Sequence, residues 1–384
     1  MSKAYLILEN GAVFEGRQFG YDAEVVGEIV FTTAMTGYLE TLSNRSYYGQ
    51  IVLQTFPLVG NYGIIPEEFG SGPVGLKAYI VREWCQEPSN FRNEGNLDFF
   101  LRENMIPGLY GVDTRALTRI IRDCGVMNAI ISKSAKPDKE TLAKLREYKI
   151  AGALETVCTQ EAFLANQAVI NAMYGNTSTV KSDADAGKAA ASGECVSSAK
   201  EGPSVALWDF GDATRIAARL VMLGCVVKLV RYDATMEEIV GLRTDGVLLS
   251  GGPGDPKENT VVIAQIKKLC DARIPILGIG LGHQMLALAS GAKTEKLRFG
   301  HHGANQSVKE VKTGRLLVTL QNHGYAVLQA SLPTSVKESF INANDGTCEG
   351  LDYEIIPALS VQFEPTDEII ERFFSMMKGG SANA

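Results

Sequence analysis

The sequence predicts an α/β protein, and three observations carry this prediction. From Ser204 onward, strand patterns alternate with helical patterns, which is typical of a mostly parallel sheet covered on both faces. The apolar run 274–279 meets the helical pattern 281–289 across a sharp Gly-rich corner at Gly280. The N-terminal half is instead rich in short, glycine-punctuated strand patterns. A strand, a sharp corner and a helix in this order are typical of a nucleophile elbow, which lifts one side chain above the edge of the sheet.

The N-terminal half opens with a hairpin. The dipeptide Asn10-Gly11 favours a two-residue turn, and it separates strand patterns over 4–9 and 12–15. Further strand patterns cover 27–31, 46–52, 78–84 and 127–132, and helical patterns cover 97–104, 114–124 and 138–148. No phosphate loop, metal-ligand cluster or histidine is found in this half, so nothing in it indicates a catalytic centre.

The helix over 114–124 has the clearest signals. Asp113 is a good N-cap and Gly125 a good C-terminal stop. Its outer face carries Arg115, Arg119 and Arg122. These arginines indicate either a solvated face or a contact with a partner subunit.

In the C-terminal half the predicted strands and helices follow each other regularly. The strands cover 204–209, 225–230, 246–250, 274–279, 316–321, 336–342 and 358–362, and the helices 214–223, 236–242, 259–272 and 367–377. The tight loop 251–256 and the corner at Gly280 both follow strand ends. Because ligands bind beyond the carboxyl ends of parallel strands, we expect these two features to face one cleft.

Composition restricts the class of protein. The chain has 384 residues, 45% apolar and 21% charged, with a net charge of −7. An acidic chain favours neither nucleic acid nor an anionic membrane as partner. The seven cysteines are odd in number and show no C-x-x-C spacing, which predicts a reducing compartment without disulfides or a metal site. The N-terminus lacks a signal-peptide pattern and no run is long enough to span a membrane, so we expect a cytoplasmic protein.

A change of composition suggests where the domains meet. Residues 176–203 are rich in Ser, Ala, Lys, Asp and Gly and have no hydrophobic period. This pattern predicts a flexible linker between an N-terminal domain, 1–175, and a C-terminal domain, 204–384.

Several motifs in order carry a resemblance to a known family. They lie at 250–256 (Ser-Gly-Gly-Pro-Gly-Asp-Pro), 278–284 (Gly-Ile-Gly-Leu-Gly-His-Gln), 299–305 (Phe-Gly-His-His-Gly-Ala-Asn), 321–325 (Gln-Asn-His-Gly-Tyr), 35–38 (Met-Thr-Gly-Tyr) and 111–119 (Gly-Val-Asp-Thr-Arg-Ala-Leu-Thr-Arg). The chain resembles the class I glutamine amidotransferases and, more narrowly, the small subunit of carbamoyl-phosphate synthetase. The resemblance implies a small-subunit N-terminal domain followed by a Rossmann-like amidotransferase domain.

The resemblance also implies a chemistry. In the family, an elbow cysteine attacks the side-chain amide of glutamine, forms a thioester and releases ammonia, with a histidine as base and a glutamate that orients it. The ammonia passes to a large subunit that uses ATP and bicarbonate to build carbamoyl phosphate. The implied partner is this large subunit. No cofactor is expected in the present chain, because ATP and Mg belong to the large subunit.

The sequence departs from the family at all three catalytic positions. Gly280 replaces the cysteine, while Glu364 and Thr366 stand where the family has His and Glu. Glycine has no side chain to attack with, and it adopts a positive φ freely, so it would relieve the strain of the corner. We therefore expect a protein that keeps the amidotransferase fold but no longer hydrolyses glutamine.

Two residues are weighed as substitutes. Cys270 lies ten positions before the corner and is better explained as a small core residue than as a nucleophile. Glu364 would be able to deprotonate a water directed at a bound amide, although attack by water would not form the covalent thioester intermediate of the family.

The four histidines of the chain are not expected to act as catalysts. His283 follows the corner on the helix and is interpreted as packing. His323 is interpreted as a satisfied structural histidine rather than a base. His301 and His302 are adjacent, so their side chains point to opposite faces of an extended segment, and they are not expected to share a metal.

The glutamine-holding positions survive better than the catalytic ones. By resemblance they are Ser46, Gly252, Gly254, Leu281, Gln284, Asn322, Gly324 and Tyr325. The N–H groups of Gly252 and Leu281 would form the oxyanion hole. The alternative is that the two loop glycines only build a turn and that Gln284 only caps a helix.

Three functions are therefore kept open. The first is a synthetase small subunit that no longer hydrolyses glutamine and serves a large subunit that takes free ammonia. The second is a glutaminase with altered chemistry at Glu364. The third is a glutamine-sensing or interaction protein that has no synthetase partner.

Overall fold

The chain divides into two compact units. The computed structural model describes residues 2–69, 74–136, 138–159, 163–165 and 202–380. The first unit comprises 1–157, 295–308 and 316–326, and the second comprises 158–294, 309–315 and 327–384. Of the predicted linker, 176–203, only the last two residues lie within the described part of the chain, so the linker and the domain boundaries that it sets remain predictions.

The first unit is built on a closed seven-stranded barrel. Its first nine strands are β1 Lys3–Leu8, β2 Val13–Gly20, β3 Val25–Thr32, β4 Gln50–Gln54, β5 Leu58–Val59, β6 Ala78–Ile80, β7 Glu83–Trp84, β8 Pro107–Tyr110 and β9 Met127–Ser132. The barrel order is β1-β2-β8-β6-β4-β3-β9, and β5 and β7 form a separate pair. Buried aliphatic side chains such as Leu6, Ile29 and Ile51 form the core. Closure leaves the barrel without a free edge strand, which the sequence patterns did not predict.

The local predictions in this unit mostly hold. Gly11 turns the predicted hairpin with a φ of 88°. The helix Thr114–Cys124 has its predicted bounds, and Asp113 Oδ1 caps it by accepting from the Ala116 N–H at 3.0 Å. The prediction was wrong at 46–49, where a 3-10 turn, Arg45–Tyr47, precedes the strand. The remaining α-helices are Tyr38–Ser43, Leu97–Glu103, Lys139–Glu147 and Ala153–Val157.

The second unit contains a mostly parallel sheet, as predicted. Its strands are β10 Phe163–Ala165, β11 Ser204–Trp208, β12 Val226–Val230, β13 Gly246–Leu249, β14 Ile276–Ile279, β17 Val336–Asn342, β18 Cys348–Tyr353 and β19 Ala358–Val361. They run in the order β10-β12-β11-β13-β14-β19-β18, and β17 pairs with β18. The five central strands are parallel, and β10 and β18 join them antiparallel. Two long strands, β15 Thr294–Glu310 and β16 Leu316–Val327, contribute residues to both units.

The strand order places a topological switch point at β11. From β11 the chain moves to β12 on one side and then to β13 on the other. The helices that connect and close this sheet are Thr214–Met222, Met236–Gly241, Thr260–Asp271, Leu281–Ala289 and Asp367–Gly380. A ligand crevice is expected at the carboxyl ends of β11 and β13, where the connections diverge. Among the described residues, no helix combines the length and the apolar character needed to cross a bilayer.

Candidate functional site

The corner at Gly280 keeps the backbone of an elbow. It joins β14 to the helix Leu281–Ala289 with φ 55° and ψ −112°. The Gly280 N–H donates to the Val361 carbonyl at 2.9 Å, so the corner is tied to the neighbouring strand β19. A Cβ added here would lie 3.3 Å from the Gly251 Cα. The corner therefore has room for a small side chain only if its neighbour yields slightly, and its positive φ favours glycine.

The glycine loop after β13 lies beside the corner. A Cβ on Gly252 would lie 1.9 Å from the Phe210 carbonyl oxygen and 3.2 Å from Leu281 Cδ2. Gly254 has a φ of 94°. The structure thus brings Gly252 and Leu281 together, as the sequence predicted for the two strand ends. Leu281 is the first helical residue, so its N–H has no carbonyl one turn earlier to bond.

Ser250 links the loop to the ends of β11 and β14. Its Oγ accepts from the Phe210 N–H at 2.8 Å and donates to the Gly251 carbonyl at 2.9 Å. Its carbonyl accepts from the Gly282 N–H at 3.0 Å. Because Ser250 is fully buried, these bonds are shielded from water and hold the loop and the elbow helix in one arrangement.

Asp209 organises the end of β11, a role that the sequence analysis missed. This buried carboxylate accepts from the Thr159 N–H at 2.8 Å, from the Thr159 Oγ at 2.9 Å and from the Gly211 N–H at 2.7 Å. A buried carboxylate is tolerated when its oxygens are hydrogen-bonded in this way. The only sequence signal was its place at the end of a predicted strand, two residues before Gly211.

Gln284 is engaged by another glutamine. Its Nε2 donates to Gln362 Oε1 at 2.9 Å, and both side chains are buried. The Gln362 carbonyl oxygen lies 4.0 Å from the position of a Cβ on Gly280. The pair therefore lies at the first turn of the elbow helix, and Gln362 was not singled out from the sequence.

Glu364 and Thr366 have structural contacts in this unit. Glu364 Oε2 lies 3.5 Å from Arg215 Nη2, and both side chains are partly exposed. The Thr366 carbonyl accepts from the Ile370 N–H at 3.2 Å, so Thr366 occupies the N-cap position of the last helix. Both residues follow β19, which pairs with β14, so Gly280, Glu364 and Thr366 follow the carboxyl ends of two adjacent strands.

Cys270 and His283 are both buried and uncharged at neutral pH. Burial raises the pKa of the Cys270 thiol to about 12, so it is not a thiolate at neutral pH. Burial lowers the pKa of His283 to about 3, and its Nδ1 lies 2.7 Å from Ser360 Oγ. This environment is that of a packed, neutral histidine, in agreement with the interpretation of His283 from the sequence.

The other predicted glutamine-holding residues belong to the first unit. Ser46 lies in the 3-10 turn Arg45–Tyr47, and its N–H donates to Asn44 Oδ1 at 2.8 Å. Asn322 Oδ1 lies 2.5 Å from His302 Nδ1. Gly324 has no atom within 4 Å of an added Cβ, and the Tyr325 ring carries Lys296 Nζ at 5.9 Å from its centroid.

His323 is fully engaged, as expected for a structural histidine. Its Nδ1 lies 2.8 Å from the Tyr325 carbonyl and its Nε2 lies 3.0 Å from Gln321 Oε1. With both ring nitrogens occupied, it is not placed to act as a base.

Comparisons with known proteins support the resemblance. Residues 6–131 match the family model "Carbamoyl-phosphate synthase small chain, CPSase domain", and residues 206–368 match "Glutamine amidotransferase class-I". The carbamoyl phosphate synthase small chain of Clostridium perfringens is 43% identical over 94% of both chains. That of Listeria monocytogenes is 40% identical over 99% of this chain and 98% of its own, and that of Staphylococcus epidermidis is 39% identical over 98% and 97%. The chain therefore belongs to the carbamoyl phosphate synthase small chain family and carries a class I glutamine amidotransferase domain.

Proposed function

We propose that this chain is a synthetase small subunit that has lost glutamine hydrolysis and serves a large subunit supplied with free ammonia. The observation that carries the proposal is Gly280 at the corner of an intact elbow. A thioester needs a nucleophilic side chain, and glycine has none. In another triad enzyme the loss of the nucleophile alone costs about a million-fold in rate.

The surroundings of the corner favour loss over replacement. Cys270 is a buried, protonated thiol, and Glu364 faces an arginine. Thr366 serves as a helix cap and carries no carboxylate to orient a base. Changes at all three cooperating positions support the loss of the whole reaction.

The retained architecture supports a continuing role in an assembly. Gly252, Leu281 and Ser250 keep the loop and the elbow helix packed together. The family implies a large subunit that binds ATP and makes carbamoyl phosphate. The proposed role of the present chain is to complete and regulate that subunit in the cytoplasm, in pyrimidine or arginine synthesis.

The test is a comparison of two nitrogen sources. The chain is purified with its cognate large subunit, and carbamoyl phosphate formation is measured with ammonium and with glutamine. Activity with ammonium alone is the expected result. Equal activity with glutamine would contradict the proposal, and failure of the two chains to associate would favour an interaction protein without a synthetase partner.

The Glu364 alternative has its own test. If Glu364 activates a water against glutamine, Glu364→Ala abolishes ammonia release from glutamine. We expect no such release from either the wild type or this variant.

A further inference from the structure

We infer that His302 is a positioning residue that presents the side-chain amide of Asn322 to an amino-acid ligand. His302 Nδ1 and Asn322 Oδ1 are 2.5 Å apart. An amide oxygen only accepts, so His302 must donate through Nδ1–H. This bond fixes which end of the Asn322 amide is turned away from the histidine.

The end that is turned away is a donor without an acceptor. Asn322 Nδ2 is shielded from solvent and has no hydrogen-bond partner among the described residues. Leaving a buried polar atom without a partner is unfavourable, so its retention indicates an acceptor that arrives from outside. The carboxylate or amide oxygen of an amino acid supplies such an acceptor.

His302 is itself held rigidly. Its ring lies against the Tyr47 ring, with centroids 5.7 Å apart and an interplanar angle of 28°. Its carbonyl accepts from the Thr33 N–H at 3.2 Å. Burial lowers the pKa of His302 to about 4, so the ring is neutral at physiological pH and carries one proton. The bond to Asn322 places that proton on Nδ1.

The same histidine is connected to a second predicted ligand residue. Tyr47 is buried and directly follows Ser46 in the 3-10 turn Arg45–Tyr47. The His302 ring therefore packs on the turn that carries Ser46 while its Nδ1–H holds Asn322. One side chain thus sets the geometry of two positions that, by resemblance, hold glutamine.

The inference rests on the proposed function in one respect, namely that the chain does not hydrolyse L-glutamine, so the amino acid can be titrated as a stable ligand. Its test does not require the large subunit, so the two can fail separately. The full chain is titrated with L-glutamine by calorimetry, together with His302→Asn, His302→Phe, Asn322→Ala and the double variant His302→Phe/Asn322→Ala.

The two His302 variants separate donation from packing. An asparagine places an N–H near the position of Nδ1, whereas a phenylalanine keeps the ring against Tyr47 and removes the donor. We expect His302→Phe to weaken glutamine binding about tenfold and His302→Asn to remain within about threefold of the wild type, which is the range for a single hydrogen bond.

The double variant provides the readout that a general structural effect would not give. If His302 acts through Asn322, the double variant binds glutamine as weakly as Asn322→Ala and no weaker. Independent, multiplicative losses would overturn the inference. So would wild-type affinity in His302→Phe, or a wild-type chain that binds no glutamine.

Discussion

The carbonyl oxygen of Phe210 occupies the space that a side chain on Gly252 would need, 1.9 Å from its Cβ position. Gly252→Ala must therefore displace the backbone of one strand end, and we expect it to cost about 1–3 kcal/mol. Gly241→Ala is the matched control, because no atom lies within 4 Å of its Cβ position. Thermal unfolding of the two variants measures the difference. Equal melting temperatures would contradict the packing described here.

Restoring a thiol at the corner is not expected to restore the enzyme. Gly280→Cys has a positive φ to adopt and a 3.3 Å contact with the Gly251 Cα, so a loss of about 1–3 kcal/mol in stability is expected. Gly280→Ala carries the same strain without the thiol. Neither variant should release ammonia from glutamine. Glu364 stands where the family has its histidine base, and Thr366 has no carboxylate to orient such a base. Turnover by Gly280→Cys alone would show that another base is in place.

Mild acid should destabilise the chain, because His283 binds a proton there only when the chain is unfolded. The pKa of His283 is about 3 in the folded chain and about 6.5 when exposed, so between these values the unfolded chain binds a proton that the folded chain does not. Its contribution to stability is complete above pH 6.5 and declines as the pH falls toward 3. Lowering the pH from 7 to 5 should cost about 2 kcal/mol through this residue.

The variant His283→Asn tests this assignment. Asparagine keeps a polar group that can hydrogen-bond Ser360 Oγ but does not titrate in this range. Urea unfolding at pH 7 and pH 5 should show a smaller loss in this variant than in the wild type. The same loss in both would assign the acid sensitivity to other groups.

Two arginines on one helix should differ in importance. Arg215 reaches Glu364 at 3.5 Å in a partly exposed pair, which is worth about 0–1 kcal/mol. Arg219 donates to the Pro365 carbonyl and reaches Asp367 Oδ1 at 2.5 Å, and its side chain is more buried. We expect Arg219→Ala to lower the melting temperature more than Arg215→Ala, because it releases the start of the last helix. The reverse order would show that the Glu364 contact stabilises the loop.

The carboxylate of Asp209 should be one of the costliest to remove. Asp209→Ala leaves three donors without their acceptor in a buried setting, for a loss of about 3 kcal/mol. Asp233→Ala is the control, since Asp233 is exposed and pairs with Arg231. Chemical denaturation compares the two. A similar small effect in both would mean that water replaces Asp209.

The sequence could predict features that depend on local patterns. Alternating strands and helices predicted the parallel sheet, and the corner at Gly280 was located because glycine clusters mark sharp turns. The cap at Asp113 was also recognisable locally, because a short polar side chain at the start of a helix usually accepts a hydrogen bond from a free backbone N–H group. Each of these features is determined by a few residues that are close together in the sequence.

Features that depend on distant pairs could not be predicted. Thr159 and Asp209 are fifty positions apart, and Gln284 and Gln362 are seventy-eight apart. Nothing in either local pattern specifies the other. Barrel closure likewise requires β1 to pair with β9, which is a matter of register between remote strands. Such contacts are selected by the packing of the whole unit.

The conformation of Gly280 has an evolutionary consequence. An enzyme that holds a non-glycine nucleophile at such a corner gives up stability to keep its activity. A chain with glycine at this corner does not carry that backbone strain. About 1–3 kcal/mol of unfolding free energy is then available to offset destabilising substitutions elsewhere. A scaffold freed in this way can drift at Glu364 and Thr366 without approaching the threshold for unfolding. Under the proposed function, glycine at this corner would make further substitutions at Glu364 and Thr366 easier to tolerate and a return to catalysis harder.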